Sequence, residues 1–393
     1  MADGRLPRVS SFPPSGPPQT TLRQRLADLR GPAVPPRPLD ARALAALAAN
    51  PGCGRRALLD GAGVDKTALA SALGSPAAFG QSQFAMIRGN SFEAKVKGDG
   101  GAELLRLVHE HLGAGAEPPT RRPHVPDLTA AGPEGRAART ALALREATVA
   151  AAWTLLDHPM LALEVAGSPA YLEPDAVVVH PDGRWTVVEI KSFPMIDGAA
   201  DAAKVGAAAR QSAVYVLALE RVAAVLEGAV VGHTTLLVCP KDFSNLPTAS
   251  VVDIRKQRAV TARQLDRLTR VEELAAALPA GLSFDPARPA EELAEAVEAV
   301  DAAYAPDCLA ACELAFHCRE RSRAADAVTA LGRSVRGELG AFTTVGAALA
   351  AAAGTGPADD PTSAALHRAA RLRAEALEQA PARTAREEAA CPC

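Results

Sequence analysis

Two apolar runs in the middle of the chain, YLEPDAVVVH (171–180) and RWTVVEIKSF (184–193), are joined by a short segment containing Asp182-Gly183. Asp-Gly is a favoured pair for tight turns between antiparallel strands, so the runs are expected to fold onto each other as a hairpin. Strands this apolar must be covered on both faces. The cover is at hand. LALEVAG (161–167) and HTTLLVCP (233–240) read as further strands, and residues 199–228 read as a helix. The expected fold class is α/β, a mixed central sheet flanked by helices.

The flanks divide the rest. Residues 1–40 are rich in Pro, Ser and Arg and are expected to be a flexible arm. Residues 41–158 form a helical N-terminal part that starts with Asp40 as N-cap, is broken at Asn50-Pro51-Gly52 and has a Pro-rich loop over 116–135. Its last helix is expected from about Arg136 to Leu156. Residues 159–258 make the α/β core, 259–350 a second helical part, and 351–393 an Ala/Arg/Glu-rich helical tail ending in Cys391-Pro392-Cys393.

The central hairpin carries charges that its surroundings should not tolerate. Asp175 sits in the first run, and Glu189 and Lys191 sit in the second. Residues two apart on a strand project from one face, and the turn brings Asp175 alongside Glu189. Two carboxylates placed so can hold a hard divalent cation such as Mg2+ or Mn2+. Such an ion binds a phosphate oxygen and activates water, while a nearby lysine offsets developing charge. The competing reading is an amphipathic hairpin with a solvated acidic face.

The cysteines make a second pattern. Cys308, Cys312 and Cys318 fall at short spacings in PDCLAACELAFHCRER, and Cys53 is the natural fourth partner. Their thiolates can converge on one inorganic centre, either an iron–sulfur cluster or zinc. The chain lacks the paired C-x2-C knuckles of many zinc sites. Cys239 lies in an apolar strand and reads as a core residue.

Order and spacing together are similar to those of RecB-type nucleases of the PD-(D/E)xK superfamily. After the Glu-x-Lys strand that family carries a helix with Gln-x-x-x-Tyr, matched here by Gln211 and Tyr215. Upstream it carries Gly-x-x-His-Glu or Gly-x-x-Phe-Glu, matched by Gly89-Asn90-Ser91-Phe92-Glu93. The four cysteines resemble its iron–sulfur branch, which includes AddB-like and CRISPR-associated adaptation nucleases.

The resemblance implies a restriction-endonuclease-like core whose helical N- and C-terminal segments are joined by a 4Fe–4S cluster on Cys53, Cys308, Cys312 and Cys318. It implies catalytic Asp175, Glu189 and Lys191, metal ligands Asp175, Glu189, Glu93 and the Ile190 carbonyl, and substrate contacts from Gln211 and Tyr215. Phe92 stands where the family often has a metal-binding histidine. The implied activity is metal-dependent hydrolysis of DNA phosphodiesters at single strands or ends, as an exonuclease. A helicase or another subunit of a repair or phage-defence complex is the implied partner. A non-catalytic DNA-binding or assembly subunit is the alternative, and a zinc-stapled protein without nuclease activity is a third reading.

Other signals set bounds. A formal net charge of −3 argues against a protein that coats nucleic acid, but not against a local basic groove. Arg55, Arg56, Arg319, Arg321 and VVDIRKQRAVTARQLDRLTR are candidates for such a groove. GAGVDKT (61–67) has Asp65 where a phosphate-binding loop needs glycine, so no ATP motor is expected. His158, His180 and His233 flank strands and are expected in core or turn roles. No apolar run suits a membrane span or a secretory signal, so a cytoplasmic protein without membrane contact is expected.

Overall fold

Consecutive branched residues, as in Ala176–Val179 and Arg184–Ile190, lose little side-chain freedom in extended backbone and pack on both faces of a sheet. The computed structural model describes residues 21–76, 83–113, 123–242, 244–304, 308–326, 328, 337–357 and 359–389. Helices α1 (Leu22–Arg30), α2 (Ala41–Ala49), α3 (Gly54–Ala62), α4 (Lys66–Ala72), α5 (Gln83–Val96), α6 (Ala102–Leu112) and α7 (Gly132–Ala150) come first. Strands β1 (Thr154–Asp157), β2 (Leu161–Val165), β3 (Ser168–Leu172), β4 (Ala176–Val179) and β5 (Arg184–Ile190) follow. Next come α8 (Ala202–Ala223), β6 (Val230–Val231), β7 (Thr234–Pro240) and β8 (Pro247–Asp253). The C-terminal part holds α9 (Arg255–Leu265), α10 (Val271–Ala276), α11 (Ala290–Glu298), α12 (Cys308–Ala311), α13 (Ala315–Ala324), α14 (Val345–Ala352) and α15 (Pro361–Ala389).

Six strands form one mixed sheet in the order β1-β4-β5-β7-β8, with β6 pairing the start of β5. The β4–β5 pair is antiparallel, and β5 runs parallel to β7 across the α8 connection. On one face Val188, Ile190, Leu236 and Val238 pack on Phe92 and Val96 of α5 and on the leucines of α6. On the other, Val177, Trp185 and Val187 pack on Val214, Tyr215 and Ala218 of α8 and on α2 and α7. A central strand buried on both faces explains the near-continuous apolar runs. The turn expected at Asp182-Gly183 is present. Gly183 has φ +82°, and a Cβ there would lie 2.2 Å from the Gly228 carbonyl oxygen, so glycine is required. A third core joins α1, α3 and α4 to α10, α11 and Phe284.

Several expectations change. YLEPDAVVVH is not one strand: β3 pairs with β2 in a separate hairpin, and Glu173-Pro174-Asp175 breaks the run before β4. The helix expected to reach Leu156 stops at Ala150, because Ala151 turns left-handed (φ 49°), and Thr154–Asp157 pairs with β4 as an edge strand. The basic segment after Ser250 begins as part of β8, paired with β7, before α9 starts. The arm expected over 1–40 contains α1, capped by Thr21. It is held by Leu29, which is fully buried, and by Arg25, whose guanidinium donates to the carbonyls of Ala275, Leu278 and Pro279. The composition of 1–40 hid a helix whose docking partner lies 250 residues away. Residues 1–20, Cys391 and Cys393 lie outside the described residues. No helix among the described residues is long and apolar enough to cross a membrane.

Candidate metal centre

The break before β4 makes the site. Asp175 is the last residue of the linking loop, so it lies beside Glu189 in the β4–β5 register that pairs Ala176 with Val188. Its Oδ2 accepts a 2.6 Å hydrogen bond from the Ile190 backbone N–H, which locks the carboxylate against β5. Glu189 is fully buried, on the same face as Val187. Lys191 follows β5 and continues the ladder, its N–H donating to the Val238 carbonyl at 2.9 Å. Its ammonium pairs with Glu189 Oε1, while Glu189 Oε2 has no hydrogen-bond partner among the described residues.

Electrostatics follow from this burial. Desolvation pushes the Glu189 carboxyl up to about 7; Lys191 opposes this, and Asp175 adds to it. Desolvation also raises the Asp175 carboxyl, against the pull of Lys191 and the Ile190 N–H. Burial works to lower the Lys191 ammonium, but the Glu189 and Asp175 carboxylates outweigh it and hold it above its ordinary value. Two carboxylates and one ammonium thus share a pocket short of positive charge.

Glu93 reaches this neighbourhood from α5 and is felt electrostatically by both carboxylates. Its Oε1 is taken by Lys97 at 2.5 Å and by His158 Nε2 at 2.9 Å. The His158 hydrogen bond, opposed by desolvation and helped by Lys97, holds the Glu93 carboxyl down at about 2. The same bond raises the His158 imidazole, against partial desolvation and the Lys97 charge. Lys97, Asp157 and His158 are residues that sequence reasoning missed or placed in a turn. The available signal was the Glu93–Lys97 spacing of one helical turn; nothing local tied either to Asp157 or His158.

Of Gln211 and Tyr215, expected to touch substrate, Gln211 is half-buried and the two side chains bond each other. Tyr215 is almost fully buried; its hydroxyl accepts from Gln211 Nε2 at 2.8 Å and donates to the Glu173 carbonyl at 3.2 Å. Burial raises the hydroxyl well above its ordinary range, and the nearby Glu189 and Asp175 carboxylates add to that. The pair braces the loop that delivers Asp175. Replacing Tyr215 by Phe is expected to cost about 1 kcal/mol, seen as a melting temperature lower by roughly 1–2 °C. An unchanged melting temperature would show that the brace carries no load.

The four cysteines lie near enough to feel one another electrostatically, but among the described residues no three of their sulfurs lie within 4.8 Å of one another. Cys53 caps α3, Cys308 opens α12, Cys312 lies just beyond α12, and Cys318 is on α13. The Cys318 thiol, raised first by burial, also feels Arg55, Cys53 and Cys308; Cys312, pushed up to about 12 by burial, feels Arg56, Cys318 and Cys308. Asn50 Nδ2 donates to Cys308 Sγ at 3.4 Å and an Arg55 guanidinium N–H to Cys318 Sγ at 3.3 Å. Arg55 and Arg56, weighed as groove residues, are buried here instead. Arg55 also bonds the Val300 carbonyl, and Arg56 bonds Asp60 and the Ala311 carbonyl. Of the basic segment, Arg255 pairs with Asp253 and Arg258 with Glu220. Cys239 is buried in β7, its thiol raised to about 12 by desolvation.

No protein-family model and no curated protein matches the chain. A crystal structure of a protein from Eubacterium rectale, described as a candidate exonuclease, is similar at TM-score 0.30 and 11% identity, covering 67% of this chain and 88% of that one.

Proposed function

We propose that the chain is a metal-dependent DNA nuclease of the PD-(D/E)xK type, an exonuclease acting on single strands or ends. The observation that carries this reading is Glu189: a fully buried carboxylate whose one close partner is the Lys191 ammonium, with its Oε2 left without a hydrogen bond, beside a second carboxylate. A buried ionised carboxylate left so is costly, and Lys191 compensates only part of the charge. The oxygens of Asp175 and Glu189 fit Mg2+ or Mn2+, which prefer hard ligands. Such an ion supplies an activated water and offsets charge on the phosphate.

The chain's own residues do the rest. Asp175 and Glu189 hold the ion, and the Ile190 N–H keeps Asp175 in the binding orientation while the Ile190 carbonyl offers a further oxygen. Lys191, which pairs with the Glu189 carboxylate and whose side chain is 27% exposed, would orient water or neutralise a phosphate oxygen. Glu93 is the third acidic group. Tyr215 and Gln211 position the Asp175 loop.

Cys53, Cys308, Cys312 and Cys318 are read as ligands of a structural 4Fe–4S cluster, with zinc as the competing occupant. Two buried guanidiniums beside the sulfurs offset the charge that thiolate ligands bring. DNA is the proposed partner, with a helicase or a repair or phage-defence subunit beside it.

Anaerobically purified protein is expected to contain iron and sulfide and to shorten end-labelled DNA when Mn2+ is added, with EDTA abolishing cleavage. Iron without metal-dependent cleavage of single- or double-stranded DNA would favour the non-catalytic subunit. Zinc in place of iron would reassign the cysteines.

A further inference from the structure

At the Asp175 backbone carbonyl, the ammonium of Lys97 is gripped from several directions. It lies 2.5 Å from Glu93 Oε1, 2.6 Å from Asp157 Oδ1, 2.8 Å from the Asp175 carbonyl oxygen and 3.2 Å from His158 Nε2. An ammonium has three donors, and the two carboxylates and the carbonyl use all of them. The imidazole nitrogen is therefore supernumerary to lysine, and it bonds Glu93 instead.

Without the ammonium, the nest has the donors of a divalent-ion site. The ligand atoms of Glu93, Asp157 and His158 all lie within 4.8 Å of one another, and the Asp175 carbonyl oxygen faces the same ammonium. Two carboxylates, a carbonyl and an imidazole suit Mn2+. His158 is held left-handed at φ 46°, costly for a non-glycine residue, and its N–H donates to the Asp175 carbonyl at 3.4 Å.

We propose that Lys97 is a tethered cation occupying a second cation position, so that the chain binds one divalent ion where its acidic residues have room for two. This rests on the metal reading at Asp175 and Glu189. Asp175 joins the positions, its carboxylate serving the metal and its carbonyl the ammonium. Lys97 touches no reacting atom in this arrangement and is a positioning residue. It holds Glu93 and the Asp175 backbone in place and contributes a fixed positive charge that no chelator removes.

The test is Mn2+ stoichiometry, counted by equilibrium dialysis and electron paramagnetic resonance. The wild-type protein is expected to bind about one ion per chain, and Lys97→Ala about two. Adding His158→Ala to Lys97→Ala should return the count to about one. Lys97→Met, which keeps the apolar stem, serves if the alanine variant does not fold. Two ions in the wild type, or one in both Lys97 variants, would overturn the proposal and leave Lys97 a salt bridge. A wild type that binds none while Lys97→Ala binds one, lost with His158→Ala, would keep the tethered cation and sink the Asp175–Glu189 reading instead.

Discussion

Glu189→Gln is expected to abolish metal-dependent DNA cleavage, by about a thousandfold or more, while making the metal-free protein more stable at pH 7.5. The two effects share one cause. In the unfolded chain the carboxyl titrates at its ordinary 4.5, and in the fold desolvation pushes it to about 7. Between those values the folded protein keeps a proton that the unfolded chain has released, so stability falls as pH rises through that window. Asp175 shifts in the same direction. His158, raised above its ordinary value, stabilises below about pH 6.5 and loses that contribution as pH rises further. Glu93, held near 2, changes only at lower pH.

The melting temperature of chelated wild type should therefore fall from pH 5 to pH 7.5, and Mn2+ should restore it. Glu189→Gln should flatten the slope and remove the response to Mn2+, because the neutral amide has no charge to desolvate and is a poor ligand. Lys191→Ala separates holding from chemistry: cleavage is lost, but Mn2+ still raises the melting temperature. Undiminished cleavage in Glu189→Gln would end the nuclease reading at this site.

Cys312→Ala is expected to strip the iron and lower the melting temperature by an amount on the order of 10 °C. Cys308 meets the residues around Cys53 across a sequence separation of about 255 positions, and closing so long a loop costs roughly 5 kcal/mol. A cluster bonded to both ends, as proposed, would hold that closure. Alanine removes the ligand without placing a hydroxyl among Leu314, Phe284 and their neighbours. Cys239→Ala is the matched control, since Cys239 is also buried but packs with Met195, Ala208 and Leu237. It should keep all its iron. Equal iron in the Cys312 and Cys239 variants would remove Cys312 from the ligand set, and an unchanged melting temperature would show that the helical cores hold the segments together without help.

The sequence by itself determined the elements whose code is local. The Asp182-Gly183 turn, the runs around it and the placing of Asp175 next to Glu189 all follow from short-range rules of turn chemistry and side-chain alternation. Tertiary structure decided what has a distant partner. Thr154–Asp157 and Pro247–Asp253 are strands because a sheet edge accepts them, and Leu22–Arg30 is a helix that docks on residues near 278. Lys97 meets Asp157 and His158 across some sixty positions, and Tyr215 turns away from solvent to brace Glu173. Such contacts depend on how whole layers pack, and the burial energy that selects them is summed over the fold rather than written in any one segment.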